Sequence, residues 1–97
     1  VVENIQTITE KLTPVFKTYG VRKAILFGSY AKGCAVEESD VDLMVDSGLR
    51  GLDFVGLLGE VCDNMDKQVD LIDTAQIIKG SKIENEINDT GVVIYER

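Results

Sequence analysis

The chain has 97 residues, 44% of them hydrophobic and 28% charged, and its 17 acidic against 10 basic residues give a formal net charge of −7. That length supports one modest core and leaves no room for a separate substrate domain, so residues 1–97 read as a single domain. The acidic balance, with no Lys/Arg cluster to offset it, works against direct binding of a phosphate backbone and favours a basic protein partner or a metal-escorted nucleotide.

There is no histidine. This removes Ser-His-Asp triads, Cys-His dyads and most zinc and haem sites. Cys34 and Cys62 have no CxxC spacing and read as free thiols in a reducing cytoplasm. No segment approaches the roughly 18 consecutive apolar residues of a membrane span, and no signal-peptide pattern is present.

In chain order, Ile5, Ile8, Leu12, Val15, Phe16 and Tyr19 recur at helical steps and are followed by Gly20, a helix stop. Pro14 is expected to kink or divide that helix. Val21 and Ala24-Ile25-Leu26-Phe27 form a short apolar run, read as a buried strand ending at Gly28. Residues 28–33 form a turn or single helical turn and 34–39 a loop. Val41, Leu43 and Val45 alternate with Asp40, Asp42 and Met44, the pattern of a strand with one apolar and one partly acidic face.

After a Gly-punctuated connection at 47–51, Leu52, Val55, Leu58, Val61, Cys62 and Met65 mark a second amphipathic helix. Residues 68–72 make a third strand, with Val69 and Leu71 on one face and Asp70 and Ile72 on the other. Asp73 or Thr74 can cap a helical stretch through Ile77, Ile78, Ile83 and Ile87, interrupted at Gly80. A last strand runs over 92–95. The class is α/β (α+β): a small mixed sheet with helices packed against it.

The chemistry concentrates between Leu26 and Val45. Gly28 directly after a buried strand lets the backbone approach a ligand, and Ser29 adds a hydroxyl. Gly28 and Gly33 have GxxxxG spacing, but Cys34-Ala35 follows, so this is not a Walker A loop. In Ser39-Asp40-Val41-Asp42-Leu43, strand parity puts the carboxylates of Asp40 and Asp42 on one face. Acidic residues are disfavoured in strands. Two that repel each other are relieved by a divalent cation, and an all-oxygen donor set suits Mg²⁺ or Mn²⁺. Asp70 is a third carboxylate if its strand lies beside theirs. Three carboxylates can hold two metal ions for phosphoryl transfer, with Asp70 placed to accept the proton of an attacking hydroxyl.

The run Leu26-Phe27-Gly28-Ser29-Tyr30-Ala31-Lys32-Gly33, five residues, then Ser39-Asp40-Val41-Asp42-Leu43, resembles the signature of the polymerase-β-like nucleotidyltransferase superfamily. The short chain resembles its minimal nucleotidyltransferase (MNT) branch. The resemblance implies that Gly28 and Ser29 hold the nucleotide's β/γ phosphates, that Asp40 and Asp42 ligate Mg²⁺, and that Asp70 is the third carboxylate. Position 32, commonly Arg in the family, is Lys32 here, which keeps the charge at the phosphate side without the bidentate fork.

MNT proteins are often encoded beside a helical HEPN ribonuclease and act as its antitoxin. The resemblance therefore implies Mg²⁺-dependent transfer of AMP from ATP to a Tyr of a HEPN-type toxin in the cytoplasm. A reading from another class is a catalytically idle MNT-like module that neutralises a partner by direct complex formation. Against it stand the three mutually repelling carboxylates, for which an idle module has no physical need.

Overall fold

The computed structural model describes residues 4–65 and 67–97. The elements in chain order are α1 (Ile5–Tyr19), β1 (Lys23–Phe27), α2 (Ser29–Lys32), β2 (Val41–Asp46), α3 (Leu52–Asn64), β3 (Val69–Asp73), a 3₁₀ turn (Thr74–Gln76), α4 (Lys82–Thr90) and β4 (Val92–Glu96). The strands form one four-stranded sheet in the order β3-β2-β1-β4. β1 runs antiparallel to β2 and to β4, whereas β2 and β3 are parallel. A parallel pair cannot be closed by a hairpin, and α3 supplies the crossover. The sheet is therefore mixed, as the alternation of elements in the sequence implies.

Period-two alternation sorts the strand residues. Ala24 and Leu26, Val41, Leu43 and Val45, and Val69 and Leu71 are buried. They join Ile8, Leu12, Val15 and Phe16 of α1 and Leu57 and Val61 of α3 in one core cluster. Each such side chain fully buried contributes roughly 1.5–3 kcal/mol. Phe16 also meets Tyr95 of β4, ring centroids 5.5 Å apart. The residues between, including Ile25, Asp42, Met44, Asp70 and Ile72, belong to the second face. α4 lies over part of that face, close enough that a Cβ on Gly91 at its end would touch Ile25.

α1 is one helix, not the kinked or divided pair that Pro14 leads one to expect. Pro14 and Glu10, whose carbonyl loses its donor to the proline, both lie on the exposed side of the helix, where a lost donor costs less than in the core. Leu12, Val15 and Phe16, on either side of the proline, are anchored in the core. The Asn4 side chain accepts from the Thr7 N–H at 2.8 Å to start the helix. Gly20, at φ 68°, ends it in the left-handed conformation that favours glycine.

α3 forms where the sequence places a helix, but with a different face inward. Leu57 and Val61 are buried and Phe54 and Leu58 partly so, while Leu52 and Val55 are 87% and 58% exposed and Cys62 is exposed. Apolar residues occur on most sides of this helix, so periodicity does not fix its rotation. The requirement to meet α1 and the sheet does. Both cysteines are free and exposed.

The helical stretch expected from Asp73 through Ile87 is two pieces. Asp73 caps only the 3₁₀ turn, through a reciprocal capping box with Gln76. α4 starts afresh after Gly80 (φ 79°), with Ser81 Oγ accepting from the Glu84 N–H at 3.2 Å. Asp73 also fastens the far end of the sheet: buried at 6% exposure, its carboxylate accepts from the Ser47 hydroxyl and N–H and the Ala75 N–H. Burial alone would raise its pKa, but these hydrogen bonds to the charged form outweigh it and hold the carboxyl below the usual range. Among the described residues no helix is long and apolar enough to cross a membrane.

Candidate active site

β1 delivers the chain to Gly28, at φ 76° and ψ −154°, a conformation essentially reserved for glycine. The chain then makes the single helical turn α2 and leaves it at Gly33, φ 75°. The reason for glycine at position 28 is also spatial: a Cβ there would collide with the carboxylate of Asp42. Sheet pairing creates that proximity, because Phe27, the last residue of β1, is the register partner of Asp42.

On its other side Asp42 is the register partner of Asp70. In-register residues of adjacent strands point to the same face, so the two carboxylates stand together on the second face. Asp40 lies one residue ahead of β2, not within it, and is exposed. Pairing begins only at Val41, whose N–H donates to Gln68 O at 2.9 Å. Just upstream the chain turns at residues 36–39, where Ser39 Oγ accepts from the Val36 N–H at 2.9 Å. Asp40 nevertheless acts on Asp42 through its charge. Among the described residues no three acidic, cysteine or histidine side chains are already grouped at metal-ligand spacing. The site is thus a tight carboxylate pair, Asp42 with Asp70, and Asp40 stands beside it.

Asp42 is pushed up to about 6, first by burial, then by the charge of Asp70 and a hydrogen bond with it, and then by the charges of Glu86 and Asp40. Glu86 is a contributor that sequence reasoning missed. It comes from α4, where it reads as an ordinary polar-face residue beside the buried Ile87. Glu86 also explains where Lys32 goes: its Oε1 lies 3.2 Å from Lys32 Nζ. Lys32 is therefore tied to α4. No spacing rule in the sequence links positions 32 and 86.

The residues present suit a divalent cation. The donors are all carboxylate oxygens, the ligand type of Mg²⁺ and Mn²⁺. A carboxyl whose proton affinity is raised by a like-charged neighbour is relieved by a cation. The missing side chain at Gly28 lets the Asp42 carboxylate lie directly against the backbone of the turn.

Comparison with known proteins bears on what such a site belongs to. The profile of the family described as "Polymerase beta, Nucleotidyltransferase" matches residues 10–97. The chain belongs to that nucleotidyltransferase family. A relative from Methanocaldococcus jannaschii, named as a protein adenylyltransferase, is 38% identical over 71 residues, covering 71% of this chain and 76% of its own. Among solved structures, a toxin–antitoxin complex with AMP-PNP contains a chain of the same fold, with TM-score 0.74 and 21% identity over 92% of this chain and 73% of that one. A complex of a tri-AMPylated Shewanella oneidensis HEPN toxin with an MNT antitoxin gives TM-score 0.69 and 19% identity, covering 96% of this chain and 73% of that one. The two structural likenesses concern the fold, and the family rests on the sequence match. As a nucleotidyltransferase, the chain has the mixed sheet with helices packed against it that its sequence implies.

Proposed function

We propose that this nucleotidyltransferase transfers AMP from ATP to a hydroxyl of a protein, a Tyr on a HEPN-type ribonuclease partner, and so acts as that toxin's antitoxin in the cytoplasm. Residues 1–97 act as one domain in this reading. The observation that carries it is the position of Asp42, in register with Asp70 on one side and against Gly28 on the other. Support comes from the relative named as a protein adenylyltransferase and from the fold shared with an antitoxin bound to an AMPylated toxin. The net charge of −7 favours a protein acceptor over direct nucleic-acid binding.

Gly28 and Ser29 hold the β/γ phosphates, with Lys32 alongside to contribute charge. Asp40, Asp42 and Asp70 would hold Mg²⁺, as one ion or two. Bound there, the metal supplies neutralisation of triphosphate charge and a lower pKa for the attacking hydroxyl. Asp70, exposed on the edge strand β3, accepts the proton of the hydroxyl as its oxygen bonds to the α-phosphorus. The bond from that phosphorus to the bridging oxygen breaks and pyrophosphate leaves.

The test is intact-mass measurement of the HEPN-type partner after incubation with the chain, ATP and Mg²⁺. A gain of one or more AMP units, lost with Asp42→Asn, is expected. An unmodified partner that is nonetheless bound would leave the idle-module reading in its place.

A further inference from the structure

A groove of about 440 Å³ wraps the free edge of β3, lined by Phe27, Asp42, Leu58, Val69, Asp70, Leu71, Ile72 and Ile83. We propose that this groove docks the acceptor segment of the partner: an apolar stretch of protein carrying the hydroxyl, with Lys or Arg residues outside it. The proposal rests on the transferase reading and adds to it the surface that selects the acceptor.

The strand order β3-β2-β1 places Asp42 between the Gly28 turn on the β1 side and Asp70 on the β3 side. Transfer at phosphorus proceeds with attacking and leaving oxygens roughly in line. With the leaving phosphates held at Gly28 and Ser29, the nucleophile arrives from the opposite side, which is the mouth of this groove.

The chemistry of the walls fits an apolar segment. Among the described residues the lining is apolar apart from the two carboxylates, with no Lys or Arg, so it does not suit phosphate. Ile83 is 44% exposed at its rim. On α3 the apolar surface continues outward from Leu58 to Val55 and Cys62, which are its helical neighbours three and four residues away. Val55 is 58% exposed and Cys62 is exposed. Exposed apolar surface contiguous with an active site marks an interaction surface.

Charge selects the occupant. α3 carries Asp53, Glu60 and Asp63 and no basic residue, while Lys67 and Lys82 lie nearer the strand and the start of α4. A second copy of the chain would bring the same acidic helix to itself, and like charges facing each other cost several kcal/mol. A partner with a basic rim around an apolar segment is complementary.

Val55→Glu and Ile83→Glu test the proposal, because Val55 is 58% and Ile83 44% exposed and neither belongs to the Gly28-Ser29 turn or the carboxylate set. Affinity for the HEPN-type partner is measured by direct titration at two salt concentrations, AMP-PNP binding with Mg²⁺ in parallel, and self-association by sedimentation. The expected result is weakening of partner affinity by on the order of tenfold or more for each variant. AMP-PNP affinity should stay unchanged in Val55→Glu, whose residue is outside the lining shared with Asp42 and Asp70, and wild-type affinity for the partner should fall as salt rises. Wild-type partner affinity that the variants leave intact, no binding by the wild type, or a groove-dependent homodimer would each overturn the proposal. Failure of the transferase reading looks different: the partner binds, the variants weaken it, and no AMP is transferred.

Discussion

The carboxylate of Asp42 occupies the space that a side chain on Gly28 would need. This ties the turn after β1 to the centre of the site, and it makes glycine at position 28 a requirement of geometry. Gly28→Ala adds a methyl group that collides with Asp42, at a φ of 76° that disfavours any side chain. We expect a loss of about 1–3 kcal/mol in stability from the strained backbone, together with loss of AMP-PNP binding. Denaturant unfolding and nucleotide titration check the two separately. A variant that binds nucleotide as well as wild type would show that the turn is not the phosphate cradle.

Asp42 makes the metal-free protein sensitive to pH. Its carboxyl is raised to about 6 in the folded state, against about 3.9 unfolded. Between these values the folded state holds a proton that the unfolded state has lost, so stability falls as pH rises from about 4 to about 6. Asp42→Asn should flatten that slope and leave the metal-free protein as stable or more stable near neutral pH. It should also shrink the Mg²⁺-dependent rise in Tm and abolish transfer. Melting curves across this pH range, with and without Mg²⁺, decide the matter; identical Mg²⁺ responses would remove Asp42 from the ligand set.

Glu86 couples α4 to the site in two ways, through the 3.2 Å pair with Lys32 and through its charge on Asp42. Glu86→Gln removes a like charge facing Asp42, so the titration of Asp42, followed by carboxyl-carbon NMR, should move to lower pH. Because the Lys32–Glu86 pair is partly exposed, stability should change by no more than about 1 kcal/mol. An unmoved Asp42 titration would mean that Glu86 does not act on it in solution.

Asp73 has the opposite linkage. Its folded pKa is depressed, so its contribution is present above the unfolded value of about 3.9 and is lost as pH falls through the folded value. Asp73→Ala leaves the buried Ser47 hydroxyl and the N–H groups of Ser47 and Ala75 without their acceptor. A destabilisation of about 1–3 kcal/mol is expected. AMP-PNP affinity should be retained in the folded fraction, since Asp73 sits at the end of β3 away from Gly28. Unfolding curves for the variant at pH 3 and pH 7 should differ less from each other than those of wild type.

Much of this protein is legible in one dimension because its signals are local. Strand alternation at 41–45 and 69–72 depends only on neighbours two residues apart, so the buried set Val41, Leu43, Val45, Val69 and Leu71 follows from the sequence. The Gly28-Ser29 turn after an apolar run, and acidic residues spaced by two, likewise carry their chemistry in short spacings, and with them the family resemblance. Other features depend on which elements meet. The register of β2 with β3 decides that Asp42 faces Asp70, and the point where pairing begins leaves Asp40 just outside the strand. Packing of α1 and the sheet chooses which apolar side of α3 turns inward, exposing Val55 and Cys62. The core contacts on both sides of Pro14 keep α1 in one piece. Glu86 reaches Lys32 across 54 positions of sequence, a pairing with no periodicity to betray it. Spacing specifies what a segment can present, whereas pairing and packing between distant segments decide what it meets.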